Sequence, residues 1–384
     1  MEIESSSQQS LHLPEEIIGE ILPRLPVKSL LRFRCVSKSW GSLIGSERLI
    51  KKHHQNSMKN PSFLQQRFIV ETDSVEWPQQ CSLLSVLSGP INTIPFSPLA
   101  YPTNNTLPMG YHFAYPRNTT LSIGYEIVGS CNGLLCIVDD ENIFHLWNPS
   151  TRIISKKLPE ISLVNYLDDF DNFGFGWVES SDEYKVFVNV VKSDSSVGEI
   201  YSTRTKSWKT IDLCPYFLPF RKGGVFAGGK LYWMYEDDKV IIFLDLKSEE
   251  FGRIEIPFDQ EMYGEFEQDN YGIVGVLGGF VCVLCFNYQI RGYRVWVTKE
   301  SWEKVLTLSH LLELLQPPLV KGLNGDILVN CGSTVVVYDC QDNVFRDLKY
   351  CSCCEDSEFN SHEDCVDSIS HDVYVESLVS PEDF

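Results

Sequence analysis

No run in this sequence approaches the ~18 consecutive apolar residues needed to cross a bilayer, so no membrane-spanning segment is expected. Met1 to Ser10 is polar and acidic, without a basic flank or an apolar core. A secretory signal is therefore not expected, and the chain reads as cytoplasmic and/or nuclear. Positive charge is also scarce: 32 Lys and Arg stand against 52 Asp and Glu, a net charge of −20. The deficit is uneven, because residues 1–60 hold nine Lys and Arg against six Glu, a local +3 that leaves −23 on the remainder. Nucleic acid is a poor candidate ligand for the larger part, since phosphate would meet like charge, and none is expected as a partner. That acidity reads either as plain solubility or as a preference for basic clients.

Catalytic signatures are missing as well. The sequence has no Gly-x-Ser-x-Gly elbow, no Walker phosphate loop and no His-Glu-x-x-His helix. The stretch Gly129-Ser-Cys-Asn-Gly133 resembles an elbow superficially, but Ser130 is displaced and the second Gly leads into a strand-like run. Metal is not expected either. Cys351-Ser-Cys353-Cys354, followed by His362 and Cys365, fits the Cys-x₂₋₄-Cys units of zinc sites poorly, and no second ordered pair accompanies it. The remaining cysteines fall mostly in apolar runs, such as Cys136, Cys282, Cys285 and Cys331, where they read as small buried hydrophobes in a reducing compartment. The chain therefore reads as a non-catalytic protein without a cofactor.

What is present divides in two, as the 384-residue length allows. Residues 1–12 read as a disordered leader. Over 13–55 the pattern is helical, with Pro14 suited to a helix start and Ile17, Ile18, Ile21 and Leu22 forming an apolar face. Pro23 and Pro26 interrupt it, and Val27, Leu30, Leu31 and Phe33 supply a second helix. Ser37 caps a third that carries Trp40, Leu43 and Ile44, and Ser46 a fourth. So short a bundle retains a large surface for its core, and its surplus of large apolar residues calls for a partner.

The segment from Leu13-Pro14-x-x-Ile17, Ile21-Leu22, Leu25-Pro26-x-Lys28 and Leu30 to Cys35-Val36-Ser37-Lys38-Ser39-Trp40 resembles an F-box of the plant type. The resemblance implies docking onto a Skp-type adaptor, and through it onto a cullin and a RING subunit. It implies adaptor contacts for Leu13, Pro14, Ile17, Ile21, Leu22, Leu25, Pro26 and Leu30, with Val36 and Trp40 shared between core and interface.

Beyond residue 56 the pattern turns to short strands with an internal repeat. Glycines precede apolar runs at Gly133, Gly229, Gly279 and Gly325, with Tyr184 to Val191 filling the wider first gap. Each unit continues into a strand and turn that reach an aromatic, at Trp208, Phe251, Trp302 and Phe345. A period of 45–50 residues is that of propeller blades. The fold class expected is α+β multidomain: a small helical unit, then an all-β propeller of about six blades over 56–384. Five units run from about 128 to 349, and residues 63–88 join Asp372 to Val379 in a sixth that closes the ring.

Ser130 to Cys136, Trp147-Asn-Pro-Ser-Thr151, Phe173 to Gly176, Asp182 to Val186, Tyr201 to Trp208, Gly228 to Trp233 and Val295 to Trp302 resemble the plant F-box-associated domain of F-box/kelch-like and S-locus F-box proteins. That resemblance implies recruitment of a protein client without identifying it. Residues 100–113 are echoed by 114–127 with eight of fourteen positions identical. This duplicated loop, with Tyr101, Tyr111, Tyr115 and Tyr125, reads as a recognition element or as an insertion without a role. Two acidic aromatic stretches, Asp168-Asp169-Phe170 and the loop with Tyr263 and Glu265, suit cationic side chains or are simply solvated. Residues 350–368 read as an acidic, Cys-containing loop. The function expected is that of a substrate-recognition subunit of an SCF-type ubiquitin ligase. The alternatives are a non-degradative F-box scaffold, or a lectin-like or enzymatic propeller unconnected to ubiquitin.

Overall fold

A computed structural model describes residues 13–59, 66–72, 78–88, 96–99, 125–139, 142–161, 172–192, 195–211, 222–235, 240–256, 272–287, 289–309, 311, 315–322, 325–331, 335–342, 344–348 and 369–383. It resolves into two compact units, Met1–Gln65 and Gln66–Phe384. The sequence had placed this division near residue 55.

The first unit contains α1 (Glu15–Ile21), a 3-10 turn at Leu22–Arg24, α2 (Val27–Phe33), α3 (Lys38–Ile44) and α4 (Glu47–Lys59). Pro14 stands before α1, where its missing N–H costs nothing, and its carbonyl accepts from the Ile17 and Ile18 amides, both at 3.1 Å. Ser37 caps α3 by accepting the Trp40 N–H at 3.1 Å, and Ser46 accepts the Leu49 N–H at 3.3 Å. Leu22, Val27, Leu30, Ile44 and Leu49 form the buried interior. Helix α4 braces the Pro23–Pro26 corner, where two prolines leave carbonyls with no helical partner. There His53 Nε2 lies 3.0 Å from the Leu25 carbonyl, and the Asn56 amide donates to the Pro23 carbonyl at 3.2 Å.

The second unit is a six-bladed propeller. The closing blade is built from both ends of the unit: β1 (Gln66–Thr72), β2 (Gln79–Ser82) and β3 (Ser97–Pro98). Five blades follow in chain order. They are β4 (Tyr125–Cys131), β5 (Leu134–Asp139), β6 (Phe144–Asn148) and β7 (Ile153–Ile154); then β8 (Asn172–Val178), β9 (Glu183–Lys192), β10 (Ser195–Ser202) and β11 (Ser207–Ile211), to which β12 (Lys222–Gly223) adds a parallel pairing. Next come β13 (Val225–Ala227), β14 (Lys230–Tyr235), β15 (Val240–Asp245) and β16 (Glu250–Glu255); β17 (Gly272–Leu277), β18 (Phe280–Asn287), β19 (Gly292–Thr298) and β20 (Trp302–Leu308); and β21 (Gln316–Lys321), β22 (Ile327–Asn330), β23 (Val335–Asp339) and β24 (Val344–Leu348). Last in the chain, β25 (Ile369–Val375) pairs with β1 from Gln66↔Val375 to Thr72↔Ile369, so it is the inner strand of the closing blade.

The sequence repeat has a plain cause. Inner and second strands are joined by two-residue hairpins, Asn132-Gly133, Gly228-Gly229 and Gly278-Gly279, with φ of 51° and 84°, 54° and 80°, and 61° and 85°. Such a turn requires positive φ at both positions, which selects Asn and Gly. The repeated glycine therefore marks the start of the second strand. The third-to-fourth turns are held by a side chain. Asn148 Oδ1 accepts the Ser150 amide at 2.8 Å, and Asp245 and Asp339 do the same for Lys247 and Gln341, both at 2.9 Å.

The core of the propeller lies between blades rather than at its centre, in six apolar clusters that each span two neighbours. Outer-strand tryptophans add polar stitches. Trp208 Nε1 donates to the Pro159 carbonyl at 2.6 Å and Trp302 Nε1 to the Glu255 carbonyl at 3.1 Å, each reaching the end of the preceding blade.

Two sequence expectations are corrected. Residues 125–127, counted in the duplicated loop, belong to β4, with Tyr125 paired to Asp139. Residues 83–88, counted in the sixth blade, form α5 (Leu83–Ser88) rather than a strand, because Leu83, Val86 and Leu87 fall on one helical face and are buried against the sheet.

Candidate adaptor-binding surface

Helix α1 is apolar on two sides. Leu22, which follows it, is 1% exposed and Ile18 is half-buried. Leu13, Ile17 and Ile21, spaced by four, instead form an outward stripe at 58%, 45% and 44% exposure. The stripe covers about 12 Å of helix axis. Val36 is 63% exposed in the link between α2 and α3. Exposed aliphatics of this size are a large share of the surface of so small a unit.

The expected contact residues therefore separate. Leu13, Pro14, Ile17, Ile21, Pro26 and Val36 are exposed. Leu25 and Trp40 are half-buried, and Trp40 packs edge-on against Phe33 with ring centroids 5.7 Å apart. Leu22 and Leu30 are corrected: at 1% and 0% exposure they are interior residues and have no surface to offer an adaptor. Val36, expected to be shared between core and interface, is 63% exposed.

Electrostatics hold the back of the stripe in place. Lys52 pairs with Glu20 at 2.5 Å, and this hydrogen bond and charge hold the Glu20 carboxyl below its usual range. Burial pushes the His53 imidazole below its ordinary value, with the Leu25 carbonyl acting against that shift. His53 is thus neutral near pH 7, with its proton on Nε2, donated to Leu25.

On the propeller, Tyr101, Tyr111, Tyr115, Asp168, Asp169, Phe170, Tyr263 and Glu265 lie outside the described residues, as do the tail cysteines and the 350–368 loop. The strands that flank them are described. Four alternating strands return the chain to the face where it started, so β3, β7, β16 and β24 end on the face where β4, β8, β17 and β25 begin. Residues 100–124, 162–171, 257–271 and 349–368 are the connections between those strands. The opposite face carries the hairpins between first and second strands and the turns between third and fourth strands.

One feature there escaped sequence reasoning: how the chain end is fastened. The Asn148 side-chain amide donates to the Ser377 carbonyl at 3.1 Å and to the Val379 carbonyl at 2.7 Å, and it contacts Ser377 Oγ at 3.1 Å. Arg67 pairs with Glu376 at 3.0 Å.

The model of the F-box domain matches residues 10–52, and that of the F-box associated beta propeller domain matches residues 106–381. This chain belongs to the F-box associated propeller family. Among its relatives in Arabidopsis thaliana, an F-box/kelch-repeat protein is 28% identical, covering 97% of this chain and 96% of its own length. F-box protein CPR1 is 25% identical over 96% of this chain and 88% of its own length. A third F-box protein is 28% identical, with 88% and 87% covered. In this chain the F-box match precedes the propeller match, which is the order of its two units.

Proposed function

We propose that this chain is a substrate-recruiting subunit of an SCF-type ubiquitin ligase. In this reading the helical unit docks on a Skp-type adaptor, which links it to a cullin and a RING subunit. The propeller binds a protein client. The observation that carries the proposal is the uncovered stripe Leu13, Ile17, Ile21 on an F-box whose own interior is already complete. An F-box subunit needs no chemistry of its own. It raises the concentration of the client near the ubiquitin-charged enzyme, and transfer gains from proximity alone.

Client contact is assigned to the propeller face where each fourth strand hands over to the next inner strand. That assignment is supported by the length of the connections leaving it and by the tight hairpins that close the other face. The charge of the propeller favours basic clients over acidic ones. Cytoplasm and nucleus are the compartments proposed.

The test uses the full chain and its Leu13→Ala/Ile17→Ala/Ile21→Ala variant, each mixed with a purified Skp-type adaptor and cullin. Co-elution of all three with the parent chain, lost in the variant while its propeller still melts cooperatively, is the expected result. Equal co-elution of both chains would remove the stripe from the interface.

A further inference from the structure

From Ile21 to Ser46 the chain has no acidic residue, yet it carries Arg24, Lys28, Arg32, Arg34 and Lys38. All five are exposed. Lys28 and Arg32 stand four apart on α2, turned away from buried Val27 and Leu30. Like charges at that spacing destabilise a helix by a few tenths of a kcal/mol, which the favourable place of Arg32 in the last turn of α2 offsets. Elsewhere in the unit Lys52 pairs with Glu20 and Lys51 with Glu47. Lys28, Arg32, Arg34 and Lys38 have no ion-pair partner among the described residues.

Three of these cations stand close in the chain to the uncovered apolar side chains. Exposed Arg34 and Lys38 bracket exposed Val36, and Arg24 follows Ile21 by three positions. Aliphatic anchors rimmed by unpaired cations suit a protein face in which an apolar groove is edged by carboxylates. Nucleic acid fits poorly, because four aliphatics offer phosphate nothing and the remaining −23 of the chain repels a polyanion.

We propose that Lys28, Arg32, Arg34 and Lys38 form a basic lip on the adaptor-binding surface that recognises an acidic face of the adaptor. The lip sets the rate and selectivity of docking, while the apolar stripe sets the lifetime of the complex. This rests on the adaptor-binding reading above. An acidic partner is repelled by most of this chain and attracted to one basic region, so the charge pattern orients the encounter before any apolar contact forms. Rim charges act chiefly on association and are screened by salt over a Debye length of about 8 Å at physiological ionic strength.

The experiment measures association and dissociation rates of the full chain with a purified Skp-type adaptor at about 50 mM and about 500 mM salt. The parent is compared with Lys28→Glu/Arg32→Glu and, as a second variant in a different element, Arg34→Glu/Lys38→Glu. All four positions are exposed, and far-UV dichroism and melting check that both variants keep the fold. The expected result is a parent association rate that falls about tenfold with salt, and variants about tenfold slower at low salt with a flattened or inverted salt dependence. Dissociation rates should stay within about threefold of the parent. Parent-like association and salt dependence in both variants would overturn the lip while leaving adaptor binding intact. A parent chain that binds no adaptor at either salt would overturn the adaptor reading and the lip with it.

Discussion

Two leucine-sized side chains in the helical unit, Ile17 and Leu30, should fail in opposite ways when cut to alanine. Leu30 is wholly buried between the helices, and Leu→Ala at such a site costs about 2–5 kcal/mol. A core of this size contributes only about 3–5 kcal/mol in all, so Leu30→Ala should unfold α1 to α4. The propeller, whose six clusters contain none of these residues, should stay folded. Ile17 is 45% exposed, so Ile17→Ala should change stability by no more than about 0.5 kcal/mol. As an interface anchor it should nevertheless weaken adaptor binding by about 2 kcal/mol, roughly thirtyfold. The assay is amide exchange over residues 15–59 in the full chain, run beside adaptor titrations. Leu30→Ala should lose both protection and binding; Ile17→Ala should lose binding alone. Lost protection in Ile17→Ala, or retained protection in Leu30→Ala, would refute the division of α1 and α2 into inward and outward faces.

Other expectations concern closure and pH. A Cβ on Gly133 would collide with Ser377 Oγ and Cβ at a φ of 84°, so Gly133→Ala should loosen the chain end, read as faster proteolysis after Val375. Asn148→Ala removes the bonds to Ser377 and Val379 and should raise exchange at 376–380 while blades away from the seam keep their protection. The folded His53 sits below its ordinary value of 6.5, so the native state holds fewer protons than the unfolded one. Its contribution is complete above 6.5 and is lost as pH falls through the folded value. Protection of α4 should therefore drop between about pH 7.5 and about pH 5 in the parent, and less in His53→Gln. Equal drops would take the effect away from His53.

Local chemistry made much of this protein legible in its sequence. The F-box helices followed from Pro14, Pro26, Ser37 and Ser46, because caps and proline stops act within one turn of chain. The blade period followed from Asn-Gly and Gly-Gly hairpins whose backbone only those residues adopt readily. Five blades are contiguous in sequence, so their order was readable from the repeat alone.

Only the tertiary structure decided the rest. Apolar periodicity announces that α1 has apolar faces, but it does not say which of them its own core will cover. That choice sent Leu22 and Leu30 inward and left Leu13, Ile17 and Ile21 outside. The need to close the ring pointed to a blade shared by the two ends of the propeller sequence, but its register, from Gln66↔Val375 to Thr72↔Ile369, has no local signal. The same holds for Asn148, whose turn side chain looks like that of Asp245 or Asp339 in sequence. It becomes a clasp because ring closure carries the chain end past it, placing two carbonyls within reach of its amide.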